Sequence, residues 1–131
     1  MIKIFITQFD YDRLAKLLDK RKPHDEYDKA LLVELKSAEI VEPKDAPHDV
    51  ITMNSQVRFE DKYGDAWEYW LVFPEDADLT NNKISILSPI GCALLGYRKG
   101  DKVTIPTPSG RRELTVAEIV HQPEREGNFD L

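Results

Sequence analysis

The segment Glu42-Pro43-Lys44-Asp45-Ala46-Pro47-His48-Asp49 separates two differently patterned parts of the chain. Its two prolines and four charged residues interrupt regular hydrogen bonding, because proline lacks an amide proton and fixes φ. Before it, apolar residues recur at spacings of three and four, the period of a helix. After it they alternate, the period of a strand. This change of period predicts an α+β fold, with residues 1–44 carrying helices and residues 45–131 carrying a sheet.

Working outward toward the N-terminus, Thr7 stands where a helix cap is needed, with Asp10 three residues on at capping-box spacing. Tyr11, Leu14, Leu17 and Leu18 form an apolar stripe, Lys20, Arg21 and Lys22 suit the dipole of the last turn, and Pro23 stops the helix. A second helical pattern starts at Asp25 and places Tyr27, Ala30, Leu31, Leu35 and Ala38 on one face. The spacing predicts helices over 8–22 and 25–40, joined at Pro23-His24 as an antiparallel hairpin, a short coiled coil projecting from the sheet. Leu14, Leu18, Leu31 and Leu35 should meet at its seam. Ile2, Ile4 and Ile6 alternate with Lys3 and Phe5, so a short strand is expected ahead of the hairpin, borrowing a sheet edge from the other part.

Toward the C-terminus, Val57–Glu60 and Ala66–Phe73 alternate around a turn at Asp61-Lys62-Tyr63-Gly64-Asp65. Further strands are expected over 83–87, 102–106 and 112–120, the last pair joined by Thr107-Pro108-Ser109-Gly110, in an antiparallel sheet. One short helix interrupts them, with Ser88 as its cap, Pro89 in its first turn, Ile90 to Leu95 as its body and Gly96 as its stop.

The 131 residues suffice for one core and an appendage, and the longest apolar runs fall far short of the roughly 20 residues a membrane helix needs. With 24 acidic against 18 basic residues, the net charge of -6 disfavours a partner held by a global positive field, nucleic acid above all. Trp67, Tyr69 and Trp70 lie among acids, without the basic interleaving of an RNA-binding sheet. The lone Cys92 and the weakly charged, cleavage-site-free start point to a reducing cytoplasm. His24, His48, His121 and Cys92 form no close pair of the kind a zinc site uses, and no serine elbow or phosphate loop is present. No catalytic residue, metal or cofactor is expected. Asp25, Glu26 and Asp28 could hold a divalent ion at the hairpin tip, but a helix dipole accounts for carboxylates in a first turn.

The run Ile84-Ser85-Ile86-Leu87-Ser88-Pro89-Ile90-Gly91-Cys92-Ala93-Leu94-Leu95-Gly96, followed by Lys99-Gly100-Asp101, resembles the C-terminal signature of the GreA/GreB transcript-cleavage factors. So does the close at Glu118-Ile119-Val120-His121-Gln122-Pro123-Glu124. The string Pro47-His48-Asp49-Val50-Ile51-Thr52-Met53-Asn54-Ser55-Gln56-Val57 is more specifically similar to the Rnk family, regulators of nucleoside diphosphate kinase.

That resemblance implies an FKBP-like domain, a bent antiparallel sheet around one short helix. It also implies a partner, bacterial RNA polymerase, bound at the rim of the secondary channel. The loop that meets polymerase in the Gre relatives matches Ser85, Leu87, Ser88, Pro89 and Ile90 here, with Leu87 where those relatives often carry a polar residue. Neither the Leu87 nor the Pro89 side chain is expected to be central to the core. Gre factors place two acidic tip residues in the polymerase active centre to help hold magnesium. The tip here comprises Arg21, Lys22, His24, Asp25 and Glu26, on helices of about 22 Å at about 1.5 Å per residue, too short for such a finger. The resemblance therefore implies a binding regulator, not an enzyme, without sequence-specific nucleic-acid or membrane binding. An active cleavage factor using the tip carboxylates is the alternative, and a peptidyl-prolyl isomerase rests on fold alone.

Overall fold

The computed structural model describes residues 4–22, 25–107 and 110–128. Strand β1 (Phe5–Thr7) leads into helix α1 (Gln8–Arg21), and helix α2 (Glu26–Ser37) into strand β2 (Glu39–Val41). Thr7 is extended and its hydroxyl accepts the Asp10 amide at 3.1 Å, so the cap forms. The other half of a capping box does not, because the Asp10 carboxylate turns inward. At the far end Lys22 takes φ 57° and donates its amide to Leu18. Asp25 caps α2, its Oδ1 accepting from Asp28 N at 2.7 Å. Pro23 and His24 lie outside the described residues.

Three expectations about this part are corrected. Helix α2 ends at Ser37, not residue 40, because the following amides join a sheet: Phe5, Ile6 and Thr7 pair in parallel with Glu39, Ile40 and Val41. The first strand thus finds its partner across its own hairpin and takes no edge from the larger sheet. Nor do the helices project clear of the rest. Leu14, Leu18, Leu31 and Leu35 are buried as expected, but in one cluster with Ile51, Met53, Ile86 and Leu94. Helix α1 lies beside Phe73, whose ring is 4.4 Å from the Arg13 guanidinium, and α2 lies along the segment Pro89–Ala93.

The larger sheet contains β3 (Gln56–Glu60), β4 (Ala66–Val72), β5 (Lys83–Ser85), β6 (Lys102–Thr107) and β7 (Gly110–His121), in the order β5-β4-β3-β7-β6. All neighbours are antiparallel except β4 and β5, which run parallel, so the sheet is mixed. A connection through the turns at Pro74–Asp76 and Leu79–Asn81 brings the chain back in the same direction. Register shifts between Gln56 and Val57 and between Arg58 and Phe59 mark bulges that bend β3 against β7. Val57 and Phe59 face the core, with Tyr69 and Trp67 opposite them and half-buried. On the other face Trp70 meets the His121 ring at 5.6 Å. The expected short helix contracts to a single 3-10 turn, Gly91–Ala93. Pro43–Asp45 in the dividing segment also winds into one such turn. Pro108 and Ser109 lie outside the described residues, while Thr107 and Gly110 pair at the end of the β6–β7 ribbon. No helix among the described residues is long and apolar enough to cross a membrane.

One polar joint fastens the helices to the sheet part. Asp10 is almost fully buried; its Oδ2 accepts the Met53 amide at 3.1 Å and its Oδ1 accepts Arg13 Nη2 at 2.7 Å. Arg13 lies between the rings of Phe9 and Phe73. Glu124 accepts the Thr52 hydroxyl at 2.7 Å nearby. Burial pushes the Asp10 carboxyl up from 3.8 to about 6, the Glu124 charge adds to the rise, and the Met53 amide and Arg13 oppose it. The folded chain therefore holds this proton more tightly than the unfolded chain. The sign follows: through Asp10, stability falls as pH rises from about 4 to about 6, by about 3 kcal/mol in all. Urea unfolding across that range should show Asp10→Asn removing this component of the slope, so that the difference between wild type and variant changes with pH. A constant difference would show that Asp10 titrates normally.

Candidate functional site

The loop that follows β5 is closed on itself by hydrogen bonds. Ser88 Oγ donates to the Ser85 carbonyl at 2.7 Å and accepts the Gly91 amide at 2.9 Å. Ser85 Oγ accepts the Leu87 amide at 3.0 Å, and the Cys92 amide returns to the Ser88 carbonyl at 3.0 Å. Gly91 is buried, and a Cβ there would overlap the Ser85 carbonyl oxygen, so only glycine permits this closure. Ile86 points into the core and is fully buried.

The five loop residues singled out by sequence therefore play different parts. Pro89 is exposed and rides on the closed turn. Ser85 and Ser88 are half-buried and hold the turn. Leu87 and Ile90 are half-buried and pack against the core cluster without belonging to it. A charge at position 87 would unsettle the fold as well as any interface.

The hairpin tip is tied down in a similar way. Arg21 Nη2 reaches the buried Asp28 carboxylate at 3.1 Å, linking the end of α1 to the start of α2. Asp25 caps α2, Glu26 and Lys22 are exposed, and His24 lies outside the described residues. Among the described residues no group of three or more histidines, cysteines, aspartates or glutamates is placed to hold a metal ion.

Loop and tip share one groove, which the sequence reading did not anticipate. Glu26, Tyr27 and Glu34 on α2 face Pro89, Cys92 and Tyr97 across it. Burial raises the Cys92 thiol to about 11, and the nearby carboxylates of Asp25, Asp28 and Glu26 push in the same direction. The thiol stays protonated at neutral pH and is a poor nucleophile. Tyr97 is raised as well, by burial first and then by Glu34 and Asp101.

Residues 46–121 match the family model "Transcription elongation factor, GreA/GreB, C-term", and residues 3–41 match "Rnk N-terminus". The chain is 39% identical over 104 residues to the Regulator of nucleoside diphosphate kinase of Escherichia coli (strain K12), covering 78% of this chain and 76% of that protein. The chain belongs to the Rnk branch of the GreA/GreB family. A GreA of Thermoanaerobacter pseudethanolicus is 38% identical over 86 residues, 65% of this chain and 55% of that factor. Among solved structures, a GreA/GreB elongation factor from Nitrosomonas europaea superimposes with a TM-score of 0.81 at 38% identity, over 91% of this chain and all of that one. GreA factor homolog 1 of Thermus thermophilus gives 0.52 at 28% identity, over 92% of this chain and 100% of that chain. The two matched Rnk and Gre segments meet at the same dividing segment where the periodicity changes. The family is one of transcription regulators.

The buried polar roles of Asp10, Asp28, Arg13, Thr52 and Glu124 escaped the sequence reading, which gave Asp10 to a capping box and Asp28 to a first turn. The signal was present: Asp10 lies on the stripe of Leu14 and Leu18, and Asp28 on that of Leu31 and Leu35, so each acid sits on a buried face. Each is answered by an arginine, Arg13 or Arg21. The loop geometry makes its own test. Gly91→Ala should cost about 1–3 kcal/mol and displace the amide resonances of residues 85–93. Ser88→Ala should cost about 1–2 kcal/mol, since it leaves the Gly91 amide without its acceptor. Equal stability of wild type and Gly91→Ala in urea would show that the loop is not closed in solution.

Proposed function

We propose that this protein is a cytoplasmic regulator that binds bacterial RNA polymerase through the Ser85–Ile90 loop. It occupies the Gre-factor site at the rim of the secondary channel and does not stimulate transcript cleavage. The observation that carries this reading is the closed loop itself, whose internal hydrogen bonds hold Pro89 outward on a preorganised turn. A rigid turn loses little entropy on binding, so one exposed apolar ring can anchor a contact. Membership in a family of transcription elongation factors supports polymerase as the partner.

The helices support a reading without cleavage. At about 1.5 Å per residue, α1 and α2 with 14 and 12 residues are about 21 and 18 Å long. They lie against their own sheet domain, and Asp25 is engaged in a cap and Asp28 in an ion pair, which leaves Glu26 as the exposed carboxylate among these three. A magnesium ion needs carboxylates that are free to turn toward it. In this reading the hairpin is a seat for the loop, and the division at residues 44–45 separates that seat from the binding domain.

Pro89→Glu should weaken polymerase binding at least about tenfold in competition with a GreA while the fold is retained, because this side chain is exposed. In a transcript-cleavage assay with a backtracked polymerase, the wild type should give no stimulation. Asp25→Asn with Glu26→Gln keeps a good helix cap and should change nothing there. Stimulation by the wild type that the double variant abolishes would instead establish an active cleavage factor.

A further inference from the structure

We propose that the groove between the β3–β4 turn and the β6–β7 ribbon binds a single strand of RNA. Lys62 from the turn and Lys102, Arg111 and Arg112 from the ribbon line a concavity of about 460 Å³. In a chain whose net charge is -6, the sheet register brings Lys62, distant in sequence, beside the ribbon that carries Lys102 and the adjacent Arg111 and Arg112. Two carboxylates share the lining. Asp61 uses Oδ1 to hold the turn, accepting the amides of Tyr63 and Asp65 at 2.9 and 3.0 Å. Glu113 stands 3.9 Å from Lys102, both side chains more than 60% exposed, too loose a pair to remove Lys102 from a competing phosphate. The groove thus keeps a positive balance.

The aromatic residue at its rim points to the kind of anion. Tyr63 is 75% exposed and stands outside the core cluster; Lys62 Nζ lies 5.2 Å from its ring. Across the groove, the guanidinium of Arg112 lies 5.4 Å from the Trp67 ring. An exposed ring among cations suits an unpaired strand, whose bases stack while its phosphates are neutralised. An acidic protein would use the cations and leave the ring idle. A duplex hides its base faces and offers nothing for the ring to stack on. The choice of RNA over DNA rests on the transcription reading above, in which the free single strand is the transcript.

The test is fluorescence anisotropy of the full chain with labelled oligouridylate at several salt concentrations. Lys62→Glu with Arg112→Glu, both outside the groove that Pro89 lines, should weaken binding more than about tenfold. It should also reduce the slope of log K against log salt by about 1.4, at about 0.7 per phosphate contact. Tyr63→Ala should weaken binding about tenfold and Tyr63→Phe should not, as stacking requires. Lys16→Glu with Lys20→Glu, the same charge change on exposed positions of α1, should stay within about twofold of wild type. Circular dichroism and the unfolding midpoint establish that each variant is folded. Undetectable RNA binding, equal weakening by the α1 variant, or binding of polyglutamate, duplex DNA or single-stranded DNA as tight as that of RNA would overturn the proposal. Polymerase affinity is measured on the same variants. Retained polymerase binding by the groove variants, with retained RNA binding by Pro89→Glu, would support two separate surfaces, and loss of both activities in both variants would overturn their separation.

Discussion

The backbone from Val50 to Ser55 is buried yet belongs to no regular strand, and the whole fold is arranged to satisfy it. Val50, Ile51, Thr52, Met53 and Ser55 are each no more than 1% exposed. Buried amides and carbonyls without partners would cost several kcal/mol in sum; the Thr52 and Ser55 amides are answered within the segment, by Ser55 Oγ and the Thr52 carbonyl, and others from outside it. Ile51 exchanges hydrogen bonds with Tyr97 and Gly96, Asn54 donates to Leu71, and Ser55 accepts from Leu71. The Gln122 side-chain amide donates to the Pro47 and Val50 carbonyls at 2.8 and 2.7 Å. Asp10 answers Met53 from the first helix. The partners come from α1, β4, the loop after the 3-10 turn and the segment that follows β7. None of these can be withdrawn without exposing the same buried strap.

This constraint explains why the helices do not stand away from the sheet. Asp10 is anchored to the strap, and Ile4 presses against Gly96, where a Cβ would fall 2.5 Å from the Ile4 side chain. Gly96 has φ +85° and allows both the turn and that close approach. The strap therefore fixes the root of the hairpin, and the side-by-side packing of α2 on Pro89–Ala93 follows. The loop is consequently braced from two directions, by its own serine hydrogen bonds and by the hairpin.

What could be read in the residues was local. Thr7 and Asp25 mark helix starts because their side chains cap the next turn, and the alternation through Val57–Glu60 and Ala66–Val72 marks strands because one face is buried. What could not be read depends on partners distant in sequence. No local pattern shows that Ile4 to Thr7 and Glu39 to Val41 run side by side, since parallel pairing needs the whole hairpin between them. The same applies to β5 beside β4. The segment Ile90–Leu95 carries a helical composition but is held to a single 3-10 turn, because Gly91 is drawn onto the Ser85 carbonyl. For the candidate loop, the serines and the proline were legible. The division between Pro89, which is exposed, and Leu87, which is packed, was not, because it depends on the core beneath.

The charges follow the same logic. A net charge of -6 describes the chain as a bag of residues, but screening confines each charge to a reach of about 10 Å, so a partner senses local groups. On the β6–β7 ribbon, Lys102 and Arg111 line both the groove shared with Pro89 and the groove beside Tyr63. One side of that ribbon carries acids from the hairpin, Glu26 and Glu34, and the other carries Lys62 and Arg112. The ribbon thus forms a ridge between a surface of mixed charge around an apolar anchor and a surface of positive charge around an exposed ring. A protein partner seated on the first would leave the second open at its border, and this contiguity comes from strand register, since Lys102 and Arg111 are brought onto one ridge only by the pairing of β6 with β7.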